Sequence, residues 1–293
     1  MATNSIALTR RSSVADWRGR VRRLKLPWVA IFILTVMLVC AGFAPWLAPH
    51  DPTDKDILNN RIAPGVTLEY PLGTDVLGRD ILSRLIYGAR TTVFISLVAL
   101  GTGAAVGTVL GLMSGYLGGW TDAIIMRVAD AAMGFPTILV AMVIVVILGQ
   151  GTENIIIAIT VTVWARFSRM IRGDVMTVKN NDYVILSQII GVATPVIILR
   201  HVFPNVVNTL MVITSLQVGQ VILLEASLSF LGLGLAPGAP AWGIMVAEGR
   251  NVILDLWWLS LFPGVAITIV VMAFNFAGDW LRDTLDPKLR RAT

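Results

Sequence analysis

Residues 91–115 read TTVFISLVALGTGAAVGTVLGLMSG and contain no acidic or basic side chain. About 20 apolar residues in a helix cross the hydrocarbon core of a bilayer, and backbone groups in lipid must form their hydrogen bonds within that helix. The run therefore predicts a membrane-spanning helix. Gly103, Gly107, Gly111 and Gly115 recur every four residues, so they line one helix face and should let a second helix pack closely against it.

Five other apolar segments have a similar length and composition. With the first, they cover residues 28–48, 91–113, 133–149, 153–170, 206–231 and 257–280. The chain is 56% hydrophobic and 14% charged, whereas soluble domains average about 25% charged residues. We therefore predict an all-α membrane protein with six transmembrane helices. The N-terminal segment, residues 28–48, is longer than the hydrophobic core of a secretory signal peptide, which indicates an uncleaved helix.

The distribution of Lys and Arg predicts the orientation. With six spans and a cytoplasmic N-terminus, the cytoplasmic stretches are 10–25, 114–132, 166–205 and 281–293. They hold 7, 1, 5 and 4 of the 23 Lys and Arg residues, and six lie outside them. Basic residues concentrate on the cytoplasmic side of membrane proteins, so both termini are expected there. The same asymmetry explains the net charge of +5 without nucleic acid as a partner.

These patterns divide the chain into three parts. We predict a basic cytoplasmic tail over residues 1–27, a transmembrane domain over 28–281 and a cytoplasmic tail over 282–293. Two long segments interrupt the transmembrane domain, an extracytoplasmic one at 49–90 and a cytoplasmic one at 166–205. The cytoplasmic segment predicts a helix to Lys179, a polar break, a short helix to Ile190, a turn at Gly191 and a further helix towards Arg200. Such structured segments between spans usually serve a partner.

The chain offers no catalytic or metal-binding set. It contains no Gly-Lys dipeptide and hence no phosphate-binding loop of the G-x-x-x-x-G-K type. Its two histidines, His50 and His201, have no suitable partners nearby in sequence, and Cys40 is the single cysteine. Glu225 is the one acid deep in a predicted span, and for it a structural anchor is favoured over a substrate ligand. A membrane enzyme is therefore the least favoured class.

Charged residues near the cytoplasmic ends predict local contacts. Arg127 and Asp130 lie three residues apart, as in a local helical ion pair. Arg166, Arg169 and Arg172 recur every three residues and should share one helix face. That face either meets solvent and anionic lipid headgroups or forms a docking surface.

The stretches NDYVILSQIIG (181–191) and LRHVFPN (199–205) resemble the coupling loop of ABC importer permeases, whose pattern is E-A-A, three residues, Gly, nine residues, Ile, one residue, Leu-Pro. Gly191 and Pro204 keep the 13-residue separation, and Ile185-Leu-Ser replaces Glu-Ala-Ala. The resemblance implies a helix that binds a cytoplasmic ATPase, with a sharp turn at Gly191 and with Pro204 at the start of the fifth span. The coupling residues it implies are Asp182, Tyr183, Ile185, Ser187, Gly191, Arg200 and Pro204.

Three further stretches resemble the second ("C") permease subunit of dipeptide, oligopeptide and nickel importers. They are PLGTDVLGRDILSRLIYGAR (71–90), EASLSFLGLG (225–234) with PAWG (240–243), and GDWLRDTLDP (278–287). The resemblance implies a type I ABC importer permease in a bacterial inner membrane, which forms the path and couples it to ATPases.

The implied partners are a second homologous permease subunit in a heterodimer, two cytoplasmic ATP-binding subunits that carry ATP and Mg²⁺, and an extracytoplasmic binding protein. This chain would bind no cofactor. Di- or oligopeptides are the favoured substrates over nickel chelates, glutathione or opines, and the substrate-binding residues stay unassigned. The alternative is a self-sufficient secondary carrier, which is less favoured because the predicted spans are almost free of charge.

Overall fold

The computed structural model describes residues 27–285, so most of both predicted tails lies outside the described residues. Within that range the chain is helical, and its one β-bridge joins Thr74 to Asp80. The helices are α1 (Trp28–Gly42), α2 (Ala44–Leu47), α3 (Ile81–Leu117), α4 (Gly119–Met133), α5 (Thr137–Leu148), α6 (Thr152–Val178), α7 (Asp182–Ile189), α8 (Thr194–Ile197), α9 (Phe203–Phe230), α10 (Trp242–Arg250) and α11 (Trp258–Leu285).

Helix α3 begins ten residues before the predicted segment. The Asp80 side chain caps it by accepting hydrogen bonds from the backbone N–H groups of Leu82 and Ser83, which would otherwise have no partner in the first turn. Apolar residues at helical spacing continue from Ile81 into the charge-free run. The extracytoplasmic segment predicted at 49–90 therefore contributes its last ten residues to a 37-residue helix.

The predicted third segment, residues 133–149, is not one straight helix. Helices α4 and α5 meet at an angle of 91° across Gly134-Phe135-Pro136, and α5 has only 12 residues. Pro136 lacks a backbone N–H and disfavours helical geometry at the residue before it, so the chain turns there. The break between α5 and α6 lies at Gly149-Gln150-Gly151, as predicted.

The fifth apolar segment also differs from the prediction. Helix runs from Thr194 to Phe230 as one span-length unit, and Pro204 lies in the first turn of α9 within that run. A five-residue π-helical stretch, Ile198–Val202, comes directly before α9. At its end the backbone N–H of Phe203 donates to the Ile198 carbonyl oxygen.

Within residues 27–285, four helices are long and apolar enough to cross a membrane, namely α3, α6, the run Thr194–Phe230 and α11, and the bent pair α4–α5 would make a fifth. Helix α1 is apolar but shorter, with 15 residues. The described residues form three apolar clusters. One lies between α3, α5, α6 and α9, a second joins α1 and α3 to α10 and α11, and a third lies beneath α7 and α8.

Candidate functional site

Four glycines of α3, spaced four residues apart, form a seam against α6. A Cβ atom added at Gly107 would lie 2.4 Å from the Trp164 carbonyl oxygen, and one at Gly111 would lie 2.7 Å from the Ser168 carbonyl oxygen. At Gly115 the nearest atom is the Val175 Cβ at 2.7 Å, and at Gly103 it is a Val163 methyl at 3.1 Å. The absence of side chains on this face lets the two backbones approach closely.

Two arginines of the predicted row on α6 join that helix to α4. Arg172 donates from Nε to one Asp122 oxygen at 2.5 Å and from Nη2 to the other at 2.6 Å. Arg169 forms an ion pair with Asp130. The local pair predicted between Arg127 and Asp130 is therefore wrong, because Asp130 turns to the neighbouring helix. At these two positions the predicted face is paired with α4, and the Arg169 side chain remains 48% exposed.

Arg166, the first of the row, has a different environment. Its Nη1 atom donates to the Gln217 side-chain oxygen at 2.9 Å and to the Gln220 side-chain oxygen at 2.7 Å. Both glutamines lie near the middle of α9. The three side chains line an open cavity of about 340 Å³ between α5, α6 and α9. No local pattern in the sequence pairs Arg166 with these amides, since 51 residues separate it from Gln217.

A buried charge network holds the segment before α3 against α10. Asp75 accepts from Arg79 Nε at 2.5 Å and from Arg84 Nη1 at 3.0 Å. Glu248 of α10 accepts from the same two arginines, at 3.0 Å from Arg79 and 2.7 Å from Arg84. The Arg84 and Asp75 side chains are each 1% exposed. Sequence reasoning counted these charges as parts of a loop and missed the network, because Glu248 lies 164 residues after Arg84.

The segment 51–80 folds back on itself next to this network. Asp56 caps the short 3-10 helix Ile57–Asn59, and a hydrogen bond from the Asn59 side chain holds the pKa of Asp56 below its usual value. The Asp56 backbone lies so close to Gly78 that a side chain there would overlap it. The segment is therefore an ordered structure and not a loose loop.

The short helix α7 lies on the ends of α3 and α6. Lys179, the residue after α6, donates from Nζ to the Gly115 carbonyl oxygen at 2.8 Å, so the glycine seam ends where this segment begins. Val184 and Ser187 form the buried face of α7, and Val184 packs in an apolar cluster with residues of α3, α6, α8 and α9. The segment 179–205 is thereby fixed to the helix bundle.

The opposite face of α7 is apolar and exposed. Ile189 and Ile190 are 74% and 77% exposed, and Leu186 is 59% exposed. Gly191 follows with a φ of +81°, and no atom lies within 4 Å of the position that a Cβ atom would occupy there. Its requirement for glycine is therefore conformational. The chain then turns back into α8.

The implied coupling residues differ in their exposure to solvent. Asp182, Tyr183, Ile185, Gly191, Arg200 and Pro204 are exposed, whereas Ser187 is buried and donates its hydroxyl to the Tyr183 carbonyl oxygen at 2.7 Å. The Tyr183 ring lies 6.3 Å from the His201 ring, measured between centroids, which links α7 to the π-helical stretch. The structure thus brings the two halves of the motif, 181–191 and 199–205, together.

Glu225 is fully buried in α9. Its Oε1 atom accepts a hydrogen bond from the Ser229 hydroxyl at 2.9 Å, one helical turn along the same helix. Among the described residues no group of three or more His, Cys, Asp or Glu side chains could hold a metal ion. The long apolar helices define the class of a multi-pass membrane protein.

Comparison with known proteins gives the family. Residues 107–291 match the family described as binding-protein-dependent transport system inner membrane component, and residues 13–64 match the N-terminal TM domain of oligopeptide transport permease C. The chain belongs to this family of ABC importer permeases. It is a non-catalytic membrane subunit that works with ATPase and substrate-binding partners, and this excludes both the self-sufficient carrier and the membrane enzyme.

Individual relatives agree with the family. The chain is 40% identical over 277 residues to the glutathione transport system permease protein GsiD of Escherichia coli O6:K15:H31 (strain 536 / UPEC), and the match covers 94% of this chain and 90% of that protein. The same values hold for GsiD of Shigella boydii serotype 4 (strain Sb227).

The solved structure described as inward facing conformations of the MetNI methionine ABC transporter contains a chain with a similar fold. The TM-score is 0.55 at 17% identity, and the match covers 69% of this chain and 96% of that chain. The likeness confirms the type I ABC permease fold that the sequence predicted.

Proposed function

We propose that the segment 179–205 is the surface through which a cytoplasmic ATPase drives this permease. The observation that carries the proposal is the two-sided character of α7. Val184 is fully buried against the bundle, while Ile189 and Ile190 leave an apolar face exposed next to the Gly191 turn. A helix fixed on one side and apolar on the other is suited to pass a movement of a bound partner to the helices beneath it.

The same proposal implies a membrane topology. Helices α1, α3, α4–α5, α6, the run Thr194–Phe230 and α11 would supply six spans, with both termini and the segment 179–205 in the cytoplasm and the segment 49–80 outside. Residues 1–27 and 282–293 would be cytoplasmic tails, in a bacterial inner membrane whose anionic lipid faces the basic N-terminal residues. The distribution of Lys and Arg supports this orientation.

Site-directed labelling tests the topology directly. Cys40 is the single cysteine, so Cys40→Ala gives a cysteine-free background. Asn180→Cys and Leu68→Cys then place one exposed thiol on each proposed side. A membrane-impermeant maleimide should label Leu68→Cys in intact cells, and Asn180→Cys only after permeabilisation. Labelling of Asn180→Cys in intact cells would place the segment outside and end the coupling proposal.

The complete transporter would contain this chain, a homologous sister permease, two ATPases that bind ATP and Mg²⁺, and an extracytoplasmic binding protein. A heterodimer is supported by the match to the C-type permease of oligopeptide transport. Co-purification of a tagged chain with its partners tests the composition. A stable homodimer that hydrolyses ATP with its ATPase and lacks a sister permease would overturn the heterodimer.

The substrate would be a di- or oligopeptide, or glutathione, which is itself a peptide. The likeness to glutathione permeases supports this class. Proteoliposomes with the complete complex, its binding protein outside and ATP inside should accumulate labelled peptides from a panel that includes glutathione and a nickel chelate. Uptake of the chelate alone would remove peptides as the substrate.

A further inference from the structure

Three arginines lie along α6, and only two of them are neutralised by carboxylates. Arg172 binds Asp122 and Arg169 binds Asp130. In the part of the chain that the structure describes, Arg166 has no carboxylate partner and donates to two side-chain amides, those of Gln217 and Gln220. An amide oxygen orients a guanidinium without cancelling its charge. Arg166 therefore keeps a full positive charge next to the middle of α9.

The cavity beside Arg166 has a mixed lining, of which the larger part is apolar. Its hydrogen-bonding side chains are Thr137, Thr162, Arg166, Gln217, Gln220 and Ser227, and the rest of its lining is apolar. Arg166 is the one charged residue in that lining. A cationic side chain at this depth is costly in a membrane protein and usually marks a solute path. The cavity, of about 340 Å³, therefore favours a small solute with a negatively charged end.

The Arg166 guanidinium has further hydrogen-bond donors besides Nη1. Its Nη1 atom makes both bonds to the glutamines, which leaves the Nε and Nη2 atoms. These two atoms form the edge that binds a carboxylate through two parallel hydrogen bonds. Gln217 is only 6% exposed, so its position is fixed by packing and it holds the arginine in place.

We propose that Arg166, held by Gln217 and Gln220, binds the carboxylate of the peptide as it passes through the permease. The inference rests on the proposed function, since it assumes that the transported solute is a peptide with a free carboxylate. Gln217 and Gln220 are positioning residues, and Arg166 contacts the solute. The pairing of the other two arginines with aspartates explains why this role falls to the first of the row.

The test compares variants of the complete complex in proteoliposomes, with its binding protein and a labelled dipeptide or glutathione that the wild type accumulates. Uptake and ATP hydrolysis are measured together. At peptide concentrations below saturation, Arg166→Gln should lower the rate of uptake about tenfold, the size expected for loss of a charge-assisted hydrogen bond. ATP hydrolysis stimulated by the loaded binding protein should persist. Arg166→Lys keeps the charge but cannot make the two parallel hydrogen bonds, so it should restore only part of the uptake.

Arg169→Gln is the matched control, because it removes an arginine from the same helix that already has a carboxylate partner. It should leave the amount of peptide carried per ATP unchanged. Unchanged uptake in Arg166→Gln would overturn the inference and leave the proposed function standing. Equal loss of uptake and ATP hydrolysis in Arg166→Gln and Arg166→Lys would also overturn it, because Arg166 would then serve structure alone. A wild-type complex that carries no peptide would instead refute the proposed function.

Discussion

The seam between α3 and α6 and the segment 179–205 both depend on glycine, in opposite ways. At Gly107 a side chain would overlap atoms of α6, whereas at Gly191 the surrounding space is empty and the backbone angle alone requires glycine. The first region is closed and filled. The second is fixed on one face and open on the other, so the chain joins a rigid bundle to a surface suited to a partner.

The charge network around the start of α3 belongs with the closed region. Arg84 is 1% exposed and lies between Asp75 and Glu248, so carboxylates of the same chain balance its charge. In segment 179–205, by contrast, apolar side chains such as Ile189 and Ile190 stay exposed. The difference predicts that substitutions in the closed regions mainly change stability, and that substitutions on the open face mainly change partner binding.

The largest effect is expected at Arg84. Arg84→Gln removes one cation from a buried cluster of two arginines and two carboxylates, and breaking a buried ion pair costs about 3–5 kcal/mol. We expect a clear fall in the thermal unfolding midpoint of the purified permease complex in detergent. Arg90→Gln, an exposed arginine six residues further along the same helix, is the control and should have little effect. Equal midpoints for both variants would show that the network does not stabilise the fold.

The next effect concerns the seam. In Gly107→Ala the new methyl group would lie 2.4 Å from the Trp164 carbonyl oxygen, so α3 and α6 must separate, at a cost of about 1–3 kcal/mol. Gly101→Ala is the matched control, because a side chain there meets no atom within 4 Å. Thermal unfolding should place Gly107→Ala below the wild type and Gly101→Ala at or above it. A stable Gly107→Ala protein would mean that the seam is looser than the structure shows.

A smaller effect is expected at Gly191. Its φ of +81° is disfavoured for any residue with a Cβ, by about 1–2 kcal/mol, while no neighbour would clash with the methyl group. Gly191→Ala should therefore lower the unfolding midpoint slightly. Gly173→Ala, which lies within α6 with open space around it, should not. A fall in both variants would indicate that loss of glycine itself, and not the turn geometry, matters.

These regions differ in how far the sequence could reveal them. The four-residue spacing of Gly103, Gly107, Gly111 and Gly115 predicted a packed face, since that spacing puts glycines on one side of any helix. It could not name α6 as the partner, because local periodicity carries no information on tertiary contacts. Apolar composition likewise located the long helices α3, α6, α9 and α11. It missed the bend before α5, which Pro136 causes and which the hydropathy of its neighbours conceals.

The charged contacts were the least predictable. Arg84 and Glu248, or Arg166 and Gln217, are far apart in sequence, and neither pair has a local pattern that signals contact. Local rules even pointed the wrong way for Asp130, whose partner lies on α6 and not at Arg127. By contrast, the helix, break and short helix over residues 152–190 followed from local signals, namely the polar residues at 180–182 and the glycine at 191.

The smallest effect on stability, and the sharpest test of the open face, is expected at Ile190. It is 77% exposed, so Ile190→Ser should change the unfolding free energy of the permease by less than about 0.5 kcal/mol. If the ATPase covers this side chain, the substitution removes an apolar contact that contributes about 1.5–3 kcal/mol when fully buried, and the ATPase should dissociate at least about tenfold more readily. Val184→Ser, on the buried face of α7, the helix that ends just before Ile190, should instead destabilise the permease itself. Titration of the purified ATPase against nanodisc-embedded permease separates the two outcomes. An Ile190→Ser protein that binds the ATPase as tightly as the wild type would show that the ATPase does not bind this exposed surface.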